Sequence, residues 1–265
     1  MTPDTSQEEV RELLDFAVEL ALAAGQHTLG YYGHRVDHDA KGDGSPVTVA
    51  DREAEALIRD RIGRRHPDHG ILGEEFGVTN EGARVRWILD PIDATRSFMR
   101  GVPLYGVLIG VEVEGVATVG VCHFPPLKET VSAGTGLGCA WNGVPCRVSG
   151  VARLEDALVL TTDPVSMETV GKDPGWPVLQ RRAGLVRTWG DCYGHALVAT
   201  GRAEAMVDPI MHLWDCAPFL PILTEAGGRF TDREGVATIH GDSAISSNGA
   251  LHDEVLALLR GESHG

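Results

Sequence analysis

Residues 87–95, Trp-Ile-Leu-Asp-Pro-Ile-Asp-Ala-Thr, constrain this chain more than any other stretch. Three apolar residues form a strand that looks buried, and it ends on Asp90, which Pro91 locks in place. A carboxylate there needs a partner, because an unpaired buried charge is costly. Asp93, three residues on across a turn, can face the same point, and the Ile92 carbonyl between them can supply another oxygen. Hard oxygen ligands without a Cys/His set favour Mg²⁺. If a helix opens near Thr95, its free N–H groups can hold an anion, and the Thr95 hydroxyl can orient a water. A metal-bound water with a carboxylate as base is then an adequate nucleophile for in-line attack on phosphorus.

Three more acids sit at places where elements begin or end: Asp51 on the first turn of a helix, Glu74 (followed by Glu75) after Gly70-Ile71-Leu72, and Asp215 after Leu213-Trp214. Each has an innocent explanation when taken alone. An Asp at a helix start is usually an N-cap, and Glu-Glu in a loop is usually solvated.

Apolar spacing at Val10, Leu13, Leu14, Ala17, Ala21 and Ala24 predicts an amphipathic helix over 7–31. Ala50, Ala54, Leu57, Ile58 and Ile62 predict a second, capped by Thr48 with Asp51 in capping-box position. Residues 41–46, Lys-Gly-Asp-Gly-Ser-Pro, are a loop by composition. Strands are expected at 87–89, 106–113, 117–123 and 129–132, with a hairpin turn at Glu114-Gly115. Further apolar runs at 157–161 and 203–207 flank a helix around 192–200. Another helix enters from Trp214-Asp215, and a last one carries Leu251, Val255, Leu258 and Leu259. Elements arriving in blocks predict layered α/β packing. The expected organisation is one unit whose parts are 1–145, carrying the acidic turn, and 146–265, carrying Asp215.

A net charge of −15 argues against a duplex nucleic-acid binder. The first apolar stretch, Phe16 to Leu22, is too short to span a bilayer, carries Glu19 and lacks the flanks of a secretory signal, so no membrane association is expected and the cytoplasm is the default compartment. Five cysteines with no C-x-x-C pair argue against a disulfide framework or structural zinc, leaving small buried hydrophobes as the reading for all five. Among eleven histidines, His66 and His69 prompt a zinc hydrolase as an alternative, but they lack a third ligand at a recognisable spacing.

With these residues the chain resembles the inositol monophosphatase family of Mg²⁺-dependent, lithium-sensitive phosphatases. The match is collinear from Lys41 to Gly228 and includes Ser45-Pro46-Val47-Thr48, the Asp51–Glu55 run, Gly73-Glu74-Glu75, the Trp87–Asp93 run, Trp214-Asp215 and Glu225-Ala226-Gly227-Gly228. The resemblance implies an αβαβα sandwich, usually a homodimer, acting on a small phosphorylated metabolite. It implies that Glu74, Asp90, the Ile92 carbonyl and Asp93 hold one Mg²⁺, that Asp90, Asp93 and Asp215 hold a second, and that a third is weakly held. Glu74 would position the attacking water, assisted by Thr95, itself linked to Asp51. Phosphate would rest on the N–H groups of Asp93, Ala94 and Thr95. Where the family usually has Gly, this chain has Ala94, which is strained if that position needs positive φ. Pro218 and Pro221 fall in the helix after Asp215, where a kink or an N–H without a helical partner is expected.

A narrower resemblance is to the histidinol-phosphate phosphatase branch, through Thr95-Arg96-Ser97-Phe98, the Arg100–Pro103 and Arg187–Gly194 runs, Met206-Val207-Asp208-Pro209, and Trp214-Asp215-Cys216. Histidinol phosphate carries an ammonium and an imidazole, so its pocket should offer carboxylates beyond the metal ligands. Asp191 and Asp208 are the candidates, with Arg96 beside them. Trp189 or Tyr193 would flank the ring or else pack in the core. A helix cap is the structural alternative for Asp191. Competing readings are an inositol-1-phosphate or broad sugar-phosphate phosphatase and, from another class, a non-catalytic, metal-stabilised regulator.

Overall fold

A computed structural model describes residues 5–34, 38–40, 46–171 and 173–262; within the expected loop at 41–46, residues 41–45 lie outside them. Ser6 accepts the Glu9 N–H and starts α1 (Gln7–Leu29), whose apolar stripe from Val10 to Ala24 is buried. The strands β1 (His38–Ala40) and β2 (Pro46–Thr48) pair antiparallel ahead of α2 (Val49–Arg65). The Thr48–Asp51 capping box forms as the sequence predicts.

Eight strands then build one sheet: β3 (Gly70–Gly73), β4 (Gly77–Thr79), β5 (Val85–Asp93), β6 (Gly106–Val113), β7 (Val116–Phe124), β8 (Glu129–Gly134), β9 (Gly138–Trp141) and β10 (Val144–Pro145). The spatial order is β10-β9-β8-β7-β6-β5-β3-β4, so the sheet is a meander except where β3 runs parallel to β5. Glu114 and Gly115 both take positive φ, as a tight hairpin between twisted strands requires. The edge strand β10 carries Pro145. At the other edge, Arg59 of α2 donates to the Gly77 carbonyl and to Thr79 Oγ1.

Alternation along these strands sorts side chains onto two faces. Trp87, Leu89, Val107, Ile109, Val119 and Val121 pack under α1 and α2. Ile88, Leu108, Cys122, Val131 and Ala133 face inward onto the middle helices. That inner layer holds α6 (Asp191–Ala199), α7 (Leu213–Cys216) and α8 (Phe219–Glu225), which follow α3 (Thr95–Phe98), α4 (Pro164–Ser166) and α5 (Trp176–Arg182) in the chain. A five-stranded sheet lies beyond, in the order β12 (Leu185–Arg187), β11 (Leu158–Thr161), β13 (Ala205–Asp208), β15 (Ala244–Ser247), β14 (Arg229–Thr231). Its outer face packs on α5 and α9 (His252–Leu259) through Val159, Val207, Leu179, Val255 and Leu259. The five layers are therefore α, β, α, β, α, as expected. The chain crosses from the first sheet to the second between residues 146 and 157.

The single helix expected from Trp214 is broken at Ala217-Pro218 into α7 and α8. Pro221 then falls in the first turn of α8, where N–H groups have no helical acceptor anyway. Gly110 and Gly120, cross-strand partners on the inner face, let this break sit directly on the sheet. A Cβ at Gly110 would lie 2.5 Å from the Ala217 Cβ, and one at Gly120 would overlap the Pro218 carbonyl.

Candidate active site

Pairing brings the acids together. β3 runs parallel to β5 with Gly73 opposite Leu89, and the Glu74 N–H donates to the Leu89 carbonyl at 3.1 Å, which sets Glu74 beside Asp90. The two side chains share a hydrogen bond. Between Asp90 and Asp93 the β5–β6 ladder slips by one residue, a bulge that Pro91 suits because it has no N–H to offer the ladder. The bulge turns Asp93 toward the helices, where its Oδ2 accepts the Cys192 N–H at 2.8 Å. Asp215, on the first turn of α7, accepts the His212 N–H at 2.8 Å. Carboxylate oxygens of Asp90, Asp93 and Asp215 all lie within 4.8 Å of one another.

Asp90 is buried; desolvation first, then the charges of Glu74, Asp93 and Asp215, push its carboxyl well above the ordinary range. Asp215 is raised in the same way, by burial and then by Asp93. Asp93 is raised by burial, opposed by its hydrogen bonds from Cys192. Asp51 is fully buried, and desolvation raises it against the hydrogen bonds of Thr48. Its Oδ1 has no hydrogen-bond partner. Oxygens crowded this closely, each wanting a positive charge, suit a hard cation.

Beside the cluster Ala94 sits at φ 65°, ψ 46°, so the strain expected from its Cβ is present. It leads into α3, whose first N–H groups have no helical acceptor. The Thr95 hydroxyl donates to the Ile92 carbonyl at 3.1 Å rather than reaching Asp51, which is held by Thr48 instead. The expected Thr95–Asp51 link is thus replaced by two local turns.

Asp191 and Asp208 do lie near the cluster. With Arg96, Thr162, Asp163, Ser166 and Ile210 they line a cavity of ≈ 510 Å³, and both also border a smaller one that contains Asp93 and Asp215. Thr162 joins them: its hydroxyl accepts the Asp191 N–H at 2.7 Å and donates to Asp208 Oδ2 at 2.5 Å. Burial, followed by the charges of Asp93 and Asp208, pushes Asp191 up to about 8 against the pull of Arg96. Burial above all pushes Asp208 to about 7. Asp191 is not a cap; Gly190 holds the N-cap position, and Asp191 follows at φ 51°.

Tyr193 takes the packing alternative, its ring set edge-on to Phe124 and its hydroxyl beside Glu129 and Arg202. Trp189 is exposed at the start of α6. His66 and His69 stack on each other at 4.4 Å, and Trp87 Nε1 donates to His69 Nδ1, so both belong to an aromatic cluster rather than to a metal set. Sequence reading missed the partners that position the site. Glu55, buried on α2, accepts the Glu75 and Phe76 N–H groups and so clamps the turn that carries Glu74. Its signal was a carboxylate on the apolar side of a helix, four residues from Arg59, which pairs with it at 2.7 Å.

This fold and this carboxylate cluster define a metal-dependent phosphomonoesterase. The chain belongs to the inositol monophosphatase family, whose model matches residues 9–264. It is 47% identical over 263 residues to the histidinol-phosphatase of Chlorobaculum parvum, covering 98% of this chain and 97% of the relative. It is 39% identical to the histidinol-phosphatase of Mycobacterium tuberculosis over 83% and 87% of the two chains. Among solved structures, the IMPase of Thermotoga maritima superposes with a TM-score of 0.86 at 34% identity, covering 95% of this chain and 98% of that one.

Proposed function

We propose that the protein hydrolyses L-histidinol phosphate to L-histidinol and phosphate, a step of histidine biosynthesis, with Mg²⁺ as its metal. The observation that carries the substrate assignment is the carboxylate pair of half-buried Asp191 and buried Asp208, tied together by Thr162 beside the Asp90–Asp93–Asp215 cluster. A phosphate ester of a neutral alcohol gives such acids no charge to pair with. An amino alcohol brings an ammonium, which favours their ionised forms and offsets their burial. The 47% identity to a histidinol-phosphatase points the same way.

In this reading Glu74, Asp90, the Ile92 carbonyl and Asp93 would hold one Mg²⁺, Asp90, Asp93 and Asp215 would hold a second, and a third would bind weakly. Bound there, Mg²⁺ would supply positive charge for the phosphoryl oxygens and lower the pKa of a water. Glu74 and the Thr95 hydroxyl would orient a water toward phosphorus, and Asp51 holds Thr48 at the start of α2. Asp93, Ala94 and Thr95 offer backbone N–H groups to the phosphate, and Arg96 lies at the cavity mouth. The two parts, 1–145 and 146–265, each contribute ligands, so catalysis needs both. We propose, too, a cytoplasmic enzyme acting as a homodimer. Five thiols free of disulfides suit a reducing compartment.

Turnover of histidinol phosphate and inositol 1-phosphate with Mg²⁺ tests the proposal. Histidinol phosphate should be preferred in kcat/KM by at least roughly 10-fold, the worth of one desolvated charge pair. Equal or reversed preference would return the enzyme to the inositol-phosphate or broad sugar-phosphate reading. Complete inactivity toward both would favour a regulator.

A further inference from the structure

β9 and β10 form a two-residue hairpin through Asn142-Gly143, both at positive φ. Val144 faces Trp141 and Pro145 faces Ala140, so the next pair across the strands is Cys146 opposite Cys139. Their backbones are joined by the Cys146 N–H to the Cys139 carbonyl at 3.0 Å, and their Sγ atoms lie 3.6 Å apart. Directly opposed residues of a hydrogen-bonded antiparallel pair have Cα atoms about 5.5 Å apart, inside the range a disulfide spans.

The two sulfurs differ in surroundings. Cys146 is half-buried, whereas Cys139 is buried. The hydrogen bond between the two sulfurs favours the Cys146 thiolate, burial opposes it, and Arg202, whose guanidinium stacks 4.2 Å over the Trp141 ring and pairs with Glu129, adds a smaller pull the same way. The same sulfur–sulfur hydrogen bond, then burial, disfavours the Cys139 thiolate, and Glu225, which accepts the Gly136 and Gly138 N–H groups, adds to this. We infer that Cys139 and Cys146 are a reversible dithiol modification site that a peroxide oxidises to a disulfide, with Cys146 attacking first and Cys139 resolving.

The Cys146 thiolate attacks the peroxide O–O bond and takes one oxygen as a sulfenic acid, while the other oxygen leaves as water. The Cys139 sulfur then attacks the sulfenic sulfur; its proton departs with the hydroxyl as a second water, and the S–S bond forms. Two electrons pass from the thiols to one peroxide, and any small thiol reductant reverses the exchange. The site lies at the open end of the hairpin, three pairs from its turn, and uses none of the proposed metal or substrate residues, so it stands independently of the substrate assignment.

The test is peroxide titration of the intact, folded protein followed by peptide mass mapping. Hydrogen peroxide should remove two hydrogens from a peptide pair joined through Cys139 and Cys146, and a thiol reductant should restore them. Cys139→Ser should leave Cys146 as a sulfenic acid that a dimedone probe traps. Cys146→Ser should slow thiol loss at Cys139 by at least roughly 10-fold, since the favoured thiolate is gone. A disulfide at Cys122–Cys192 instead, or sulfinic acid at Cys146 with Cys139 still reduced, would overturn the inference. The wild-type map alone decides the matter if either variant fails to fold.

Discussion

At the scale of single residues, the site is built from groups that are uncomfortable where they stand. Asp90 is buried among Glu74, Asp93 and Asp215, and every one of these neighbours opposes its charge. Replacing it by Asn should therefore separate folding from function. In chelator, Asp90→Asn should melt no lower than wild type, because a repelled carboxylate has been removed; with Mg²⁺, its kcat should fall by roughly a thousandfold or more. A folded variant that keeps near-normal turnover would remove Asp90 from the proposed ligand set. Asp191 combines two costs, a half-buried carboxyl pushed up by desolvation and a positive φ. Asp191→Asn should lower kcat/KM for histidinol phosphate by roughly 10-fold more than for glycerol 2-phosphate, which brings no cation. Since Gly190 occupies the cap position, a uniform loss on both esters has no capping explanation and would count against the ammonium pocket. Ala94 tells a related story. The sequence revealed that a Gly was missing there, and the structure places its Cβ in the left-handed region, a cost of about 1–2 kcal/mol.

At the scale of elements, the Asp215 carboxylate depends on how closely α7 and α8 approach the first sheet. Gly110 and Gly120 provide that approach. Gly120→Ala pushes against backbone, not against a side chain that can swing aside, so it should destabilise by about 1–3 kcal/mol. It should also weaken Mg²⁺ binding, because Asp215 is carried on the displaced break. Calorimetric titration of the folded variant measures this, and unchanged affinity would separate the helix break from metal binding. Elements with strong periodicity were legible in the sequence: α1, α2 and the β6–β7 hairpin lie where their apolar patterns put them, within a few residues at the ends. Those that were missed are short or held by tertiary partners. The strand β14 has three residues and gains its place only by pairing with β15, and β12 depends on β11. The acids of the site were legible because charge at the end of an apolar run is conspicuous. Glu55, Thr162 and the two glycines were not, since their roles lie in contacts 20 or more residues away along the chain.

At the scale of the whole molecule, Asp90 and Asp93 come from the first sheet and Asp215 from a helix beyond the crossing at 146–157, so a cation held among them ties two parts of the chain together. Asp90, Asp93, Asp191, Asp208 and Asp215 all hold their protons more tightly when folded than ordinary carboxyls do. A raised folded pKa favours the folded state at low pH and loses that advantage as pH climbs, here from about 4 toward about 8. The chelated protein should therefore lose stability through this window. Mg²⁺ should restore it, by about 2.7 kcal/mol at a hundred times its Kd. Melting temperatures with and without Mg²⁺ at about pH 6 and about pH 8 check this: the gap should widen at the higher pH, and a constant gap would mean that the carboxylates are not where the metal acts. The two margins of the eight-stranded sheet carry a different consequence. An open margin invites a strand from another molecule. Pro145 brings no N–H to one margin, and Arg59 occupies the Gly77 carbonyl at the other. Growth of the sheet from copy to copy is thereby discouraged at both ends, so that any contact between copies of this chain is steered toward side chains rather than toward one continuous ribbon.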